Sequence, residues 1–297
     1  MKILIIGSKG FIGTHCLNYF RQSGSEAWGC DVVVDYTDQQ YVQVDATNAN
    51  YLKVFEGRDF DVCVNCSGAA SVPDSLRRPL RDFELNTYNV FRMLNAIRET
   101  TPGCKFINLS SAAVYGNPDS LPIVETQNLQ PISPYGQHKL QAEAICREFR
   151  DHFDVATCSL RIFSAFGDGL RKQLFWDLYQ KGRSGNKVTL WGTGMESRDF
   201  IHVDDIIQII DLVIKKGSFS GEAINVANGK EILIKDIVRT FYGCFPEEID
   251  YEFGGQGRKG DPNNWVADIS LIKQLGYRQE VSLKDGLKKY YEWAQEE

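Results

Sequence analysis

A short apolar run, Lys2-Ile3-Leu4-Ile5-Ile6, stops at the first residue of a Gly7-x-x-Gly10-x-x-Gly13 series, and a helical pattern follows from Phe11 to about Gln22. This succession of strand, tight turn and helix constrains the fold more than any other stretch of the chain. Gly7 permits the turn, Gly10 lets the backbone approach a pyrophosphate, and Gly13 allows close helix–strand packing, while the free amides of the helix start face the anion. A second apolar run, Val32-Val33-Val34, reads as the next strand and ends at Asp35, 22 residues beyond Gly13. A carboxylate there accepts hydrogen bonds from the adenosine ribose and repels a 2′-phosphate, which predicts NAD rather than NADP. Lys9 argues the other way, since its charge can serve a phosphate.

The alternation continues. A helix is expected at 48–56, buried strands at 61–66 and 104–111, and a helix between them at 80–99, where Phe83, Val90, Leu94 and Ile97 recur at helical spacing. Helices interposed between short apolar runs predict a parallel sheet covered on both faces, an α/β Rossmann-type doubly wound fold. The proline-rich stretch 112–134 reads as a surface or cleft loop, followed by a helix from Tyr135 to about Arg150 and a strand within 156–167. Beyond it, strand candidates at 187–192, 224–229 and 249–253 alternate with helices near 169–181, 203–215, 233–243 and 282–294. The expected division is a dinucleotide-binding domain over 1–168, completed by parts of 187–228. A smaller mixed α/β substrate region takes up most of 169–297.

Composition narrows the function classes. A net charge of −6 leaves no cationic excess for a nucleic-acid backbone, so no nucleic-acid partner is expected. The absence of a long apolar run predicts no membrane span, and the early glycine turn argues against a signal peptide, which makes cytoplasm the expected location. Cys63-x-x-Cys66 has no second cysteine pair at zinc-binding spacing and is read as incidental thiols. His202 lacks partners at metal-ligand spacing and is read as a structural hydrogen-bonding residue, so no metal is expected.

Tyr135-x-x-x-Lys139 places a phenol and an ammonium on one helical face. Such a pair can exchange a proton with a carbinol oxygen while the ammonium stabilises the phenolate and holds a nicotinamide ribose. Ser110 and Ser111 end an expected parallel strand at the sheet's carboxyl edge, where ligands of such sheets bind.

Together with Ser111-Ala112-Ala113-Val114-Tyr115-Gly116, the segments 65–72, 133–143, 198–205 and 257–277, and Asn86, these motifs resemble the extended short-chain dehydrogenase/reductases. The similarity is greatest to their NAD-dependent sugar-nucleotide epimerase and dehydratase branch. It implies Ser111, Tyr135 and Lys139 as the catalytic set. It also implies a cofactor shell of Gly7, Gly10, Phe11, Ile12, Gly13, Asp35, Asp45 and Ala46 near the adenine, Cys66, Ser67, Gly68 bordered by Ala69, and Asn86. Arg198 and Arg258 match the arginines offered to the diphosphate of a nucleotide-diphosphate sugar, for which a guanidinium fork is well shaped. A surface ion pair with Asp199 is the plainer reading of Arg198, and a solvated loop that of Arg258. The implied reaction is epimerisation by transient oxidation, at C4. Ala112 and Ala113 stand where dehydratases carry an acidic pair, which disfavours dehydration. Phe163-Ser164 in place of a Phe-Asn pair, and a length of 297 residues, depart from the galactose epimerases. An NAD(P)H-dependent 4-ketoreductase making a deoxysugar nucleotide is the alternative, and a noncatalytic dinucleotide sensor or scaffold is a minor one. The resemblance also implies a homodimer joined through helices 80–99 and 135–150, with Leu140 and Cys146 as core residues of that packing.

Overall fold

The computed structural model describes every residue except 186, 258, 259 and 261. Strands β1 (Lys2–Ile6), β2 (Glu26–Asp31), β3 (Tyr41–Gln43), β4 (Val62–Asn65), β5 (Lys105–Ser111) and β6 (Thr157–Ile162) lie parallel. A later strand, β11 (Ser220–Val226), adds to β6 and completes a seven-stranded sheet of order β11-β6-β5-β4-β1-β2-β3. The strand order reverses between β1 and β4, and the glycine turn that follows β1 opens at that reversal.

Successive side chains of β1 serve opposite faces, as a strand covered on both sides requires. Ile3 and Ile5 join Cys16, Leu17 and Phe20 of α1 (Phe11–Gln22) and Ile206, Ile209 and Ile210 of α8 (Val203–Lys216). Leu4 and Ile6 join Val54 and Phe55 of α2 (Tyr51–Phe55), Met93 and Leu94 of α5 (Asn89–Thr100), and Cys146 and Phe149 of α6 (Pro134–Phe153). Cys146 belongs to this chain's own core, and Leu140 packs half-buried against the opposite cluster.

The second strand departs from the sequence expectation. It occupies Glu26–Asp31, because Lys2 pairs with Glu26 and Ile6 with Cys30 in register immediately after α1 ends. Val32, Val33 and Val34 lie beyond it in a loop, each about half exposed. A β-branched run mimicked a strand there, while the true strand hides its pattern behind Gly29, whose added Cβ would stand 2.8 Å from Ser8 Oγ. The expected helix 80–99 is also divided. It comprises α4 (Pro79–Phe83), a π-helical segment Glu84–Tyr88 and α5, preceded by the short α3 (Val72–Arg77).

The later residues pair in two-stranded sheets. β7 (Ser164–Phe166) runs parallel to β10 (Phe200–His202), and β8 (Val188–Leu190) to β13 (Tyr251–Phe253). β9 (Ser197–Arg198) runs antiparallel to β12 (Ile232–Leu233). α7 (Gln173–Gly182), α9 (Ile234–Tyr242) and α11 (Leu283–Gln295) close over an aromatic core that includes Phe175, Phe241 and Tyr290. A short helix, α10 (Ser270–Leu275), was not expected from the sequence.

Candidate active site

The glycine turn is built by contact as well as by conformation. Gly7 has φ +80°, and a Cβ on Gly13 would stand 2.0 Å from the Gly7 carbonyl oxygen, so helix and turn touch backbone to backbone. Gly10 caps α1 without a side-chain hydrogen bond, leaving the first turn, with Phe11 and Ile12, to face an anion. Across the turn, Gly68 has φ +118°, and a Cβ there would lie 2.5 Å from Asn86 Oδ1 and 3.5 Å from Lys139 Nζ. Asn86 sits in the π-helical segment, and neither its amide oxygen nor its nitrogen has a partner among the described residues. Buried, orphaned amide atoms beside a glycine cradle fit a ligand that supplies the missing hydrogen bonds, and a dinucleotide meets that requirement. Cys66 and Ser67 form the wall between them. The Cys66 amide donates to Ile6 at 2.8 Å, and the Ser67 hydroxyl donates to Asn65 Oδ1 at 2.6 Å. Asp45 and Ala46 lie exposed just past β3, where Asp45 Oδ1 accepts from the amide and hydroxyl of Thr47, which hold its carboxyl below the usual range.

Asp35 does not end the second strand; Asp31 does. The Asp31 carboxylate accepts from the Lys9 amide at 2.9 Å and the Val32 amide at 2.7 Å, which ties the glycine loop to the strand end. Asp35 lies four residues on and pairs with the Lys9 ammonium at 2.5 Å.

The second set of residues converges at the carboxyl edge of β5. Ser111 ends that strand, and its hydroxyl accepts from the Ala113 amide at 3.2 Å, starting a single 3-10 turn at Ala112–Val114. α6 opens with Ser133 as N-cap, its hydroxyl accepting from the Gly136 amide at 3.1 Å, and with Pro134 in the first turn. A Cβ on Gly136 would stand 2.5 Å from the Ala113 carbonyl oxygen, so glycine lets the helix start rest against that turn. This contact brings Tyr135 and Ser111 together. Burial pushes the Tyr135 phenol up to about 12, against the Ser111 hydrogen bond that lowers it. One helical turn on, Lys139 is buried and donates to the Leu109 carbonyl at 2.8 Å. Burial pulls its ammonium down to about 8, against the Asp82 carboxylate that favours the charge.

Several participants carried no sequence signal. Asp82 of α4 is buried, and its Oδ2 lies 2.6 Å from His138 Nδ1. Beneath Ser111, Arg161 of β6 donates to both oxygens of Glu143, and the Ser110 hydroxyl donates to the same carboxylate at 2.5 Å. Arg161 also donates to the Tyr115 hydroxyl at 2.8 Å, which donates to Asn225 of β11 at 2.7 Å. The network joins β5, α6, β6 and β11 under the carboxyl edge of the sheet, with each charge paired as burial demands. It joins residues as far apart in sequence as Ser110 and Asn225, which periodicity cannot register.

Asp199, the partner in the plainer reading of Arg198, is not at the surface. Asp199 is fully buried, and its oxygens accept from the amides of Asn228, Gly229 and Ala267 at 3.0, 2.9 and 3.1 Å. Arg198 lies over the Trp265 ring at 5.5 Å and donates to the carbonyls of Ser197 and Asn263. Arg258 lies outside the described residues. His202 caps α8, with Nδ1 accepting from the Asp204 amide at 3.2 Å, in keeping with a structural role. All eight cysteines are free thiols, and burial pushes Cys63 well up, in keeping with an inert group.

A family profile described as the NAD dependent epimerase/dehydratase family matches residues 3–227. The chain belongs to that family. Among relatives, an uncharacterized UDP-glucose epimerase of Bacillus subtilis is 27% identical, the match covering 97% of this chain and 96% of the relative. The UDP-glucose 4-epimerase of Lactobacillus helveticus is 26% identical over 94% and 92% of the two chains. A crystal structure of UDP-glucuronic acid 4-epimerase from Bacillus cereus, in complex with UDP-glucuronic acid and NAD, superposes with a TM-score of 0.91. That pair is 26% identical and covers 100% of this chain and 99% of the other. Membership agrees with the expected Rossmann-type fold and with NAD as the cofactor. The family's matched segment runs from β1 into the end of β11, so it includes the glycine turn, Ser111, Tyr135 and Lys139.

Proposed function

We propose that this member of the NAD dependent epimerase/dehydratase family epimerises a nucleotide-diphosphate sugar at C4 by transient oxidation. The observation that carries the reading is the convergence of Ser111, Tyr135 and Lys139 beside Gly68 and the orphaned Asn86 amide. NAD, when bound there, supplies a reversible hydride acceptor. Gly7, Gly10 and Gly13 with the start of α1 hold its pyrophosphate, and Asp31 takes the ribose position expected of Asp35. Asn86, Ser67 and Gly68 line the nicotinamide side, and Asp45 and Ala46 the adenine side. Tyr135 takes the proton from the sugar hydroxyl and returns it, and Ser111 hydrogen-bonds the same oxygen. Lys139 steadies the phenolate by charge. Its ammonium is preserved in a buried site by Asp82, itself bonded to His138.

Arg198 and Arg258 supply cationic forks for the diphosphate, and the UDP-sugar names of the relatives support a uridine diphosphate donor. The boundary near 168 separates a cofactor part from a mainly substrate part, with β11 and α8 returning to the first. A homodimer forms through α4, α5 and α6. Leu80 of α4 is 70% exposed, and Tyr88 and Phe91, in the segments that follow it, are 49% and 40% exposed, apolar surface suited to a second copy. Cytoplasm is the proposed location; among the described residues no helix is long and apolar enough to cross a membrane.

The test is to identify any retained nicotinamide by mass and to follow absorbance at 340 nm against a panel of nucleotide sugars. Isomer interconversion without net absorbance change is the expected result. Stoichiometric consumption of free NADH or NADPH would replace epimerisation with the 4-ketoreductase reading. Bound NAD with no turnover of any sugar would favour a sensor.

A further inference from the structure

The glycine loop of this chain carries a cation. In Gly7-Ser8-Lys9-Gly10, the Lys9 amide is fastened to Asp31 at the end of β2, so the residue stands at the edge where an adenosine ribose would lie. An ammonium in that position is suited to a 2′-phosphate, which would favour NADP. The side chain is turned aside instead. Lys9 Nζ contacts Asp35 Oδ2 at 2.5 Å and lies 5.2 Å from the Tyr41 ring centroid.

Asp35 is itself held in place. Its Oδ1 accepts from the Thr37 amide at 2.9 Å, the Thr37 hydroxyl at 2.7 Å and the Asp38 amide at 3.3 Å. Tyr41, whose ring faces the ammonium, is anchored by its hydroxyl to the Val33 carbonyl. The neighbouring carboxylate, Asp38, is occupied by Arg21 at 2.8 Å, so Lys9 is the counter-ion that reaches Asp35. The post-strand loop 32–38 therefore folds back over the glycine loop and captures its cation.

We infer that Asp35 is a cofactor-selectivity residue that acts by sequestering Lys9, so that the loop cation is unavailable to a 2′-phosphate. This rests on the reading that a dinucleotide binds at the glycine turn, and it gives Asp35 a role other than ribose contact. Asp31 repels the extra phosphate directly, whereas Asp35 removes the group that would attract it.

The test uses the full chain, freed of retained nucleotide with charcoal, and titrates NAD, NADP, ADP-ribose and 2′-phospho-ADP-ribose by calorimetry. Wild type is expected to prefer the unphosphorylated ligands. In Asp35→Asn, affinity for NADP and 2′-phospho-ADP-ribose should rise about tenfold while NAD changes by no more than about threefold, the scale of one charge-assisted contact. Adding Lys9→Met to that variant should abolish the gain. Lys9→Met alone should leave the weak NADP affinity of wild type unchanged, because the ammonium is already engaged. An unchanged NAD/NADP ratio in Asp35→Asn, a gain that persists in the double variant, or a loss of NADP affinity in Lys9→Met alone would each overturn the inference. Wild type that binds none of the four ligands would instead defeat the cofactor reading beneath it.

Discussion

Two buried ionisable residues show how much a side chain's meaning depends on its surroundings. Tyr135 and Lys139 are one helical turn apart, and burial drives both toward neutrality, the phenol up to about 12 and the ammonium down to about 8. Ser111 opposes the shift of the phenol and Asp82 that of the ammonium, so each group is held by a different neighbour. Tyr135→Phe is expected to lower kcat by about 10²- to 10⁴-fold with NAD binding retained, measured by turnover and nucleotide titration on the same preparation. Intact turnover would remove the tyrosine from the acid–base role. Asp199 makes a separate case. Burial raises its carboxyl from 3.8 to about 6, despite the backbone amides that favour the charge. Between those values the folded chain holds a proton that the unfolded chain releases, so this group's contribution to stability falls as pH rises through the window. Asp199→Asn removes that dependence. The Tm of the variant relative to wild type should therefore climb between pH 4 and pH 6; a flat or declining difference would exclude the burial account.

At the scale of elements, the geometry of the candidate site rests on two helix starts and one irregularity. α6 is aimed by Ser133, Pro134 and the close seat of Gly136, so Ser133→Ala should cost about 1 kcal/mol in denaturant unfolding, the usual loss for an N-cap. A loss below a few tenths would mean that packing alone positions the helix. α1 begins on Gly10 and takes its place from the Gly7–Gly13 contact. The helix after α4 is interrupted by the π-helical segment that carries Asn86 against Gly68. π-Segments are rare inside helices and gather at functional sites, which fits the orphaned amide found there. Sequence periodicity detected the apolar stripe of 80–99 but not this change of pitch, because Val90, Leu94 and Ile97 all lie beyond the interruption and repeat normally. The misplaced second strand has the opposite cause. Val32-Val33-Val34 has strand propensity without a pairing partner, whereas Glu26–Asp31 has a partner in β1 and needs little propensity.

For the whole molecule, the exposed Leu80 of α4 gives a direct prediction. Leu80→Arg should shift the protein from dimer to monomer by light scattering at micromolar concentration, since a charge would be buried in the proposed interface. A wild type that is monomeric, or a variant that remains dimeric, would place the interface elsewhere. The sequence by itself determined the alternating α/β order, the glycine turn and the placement of Tyr135 and Lys139 on one helical face, because each is written in local spacing: an apolar run before a turn, or two side chains one helical turn apart. Tertiary structure alone decided which carboxylate ends β2, what captures Lys9, why Asp199 is buried, and how Arg161, Glu143, Tyr115 and Asn225 join beneath the site. Those outcomes depend on strand register and on contacts between residues far apart in the chain, where energy is set by burial and pairing and leaves no periodic trace in the sequence.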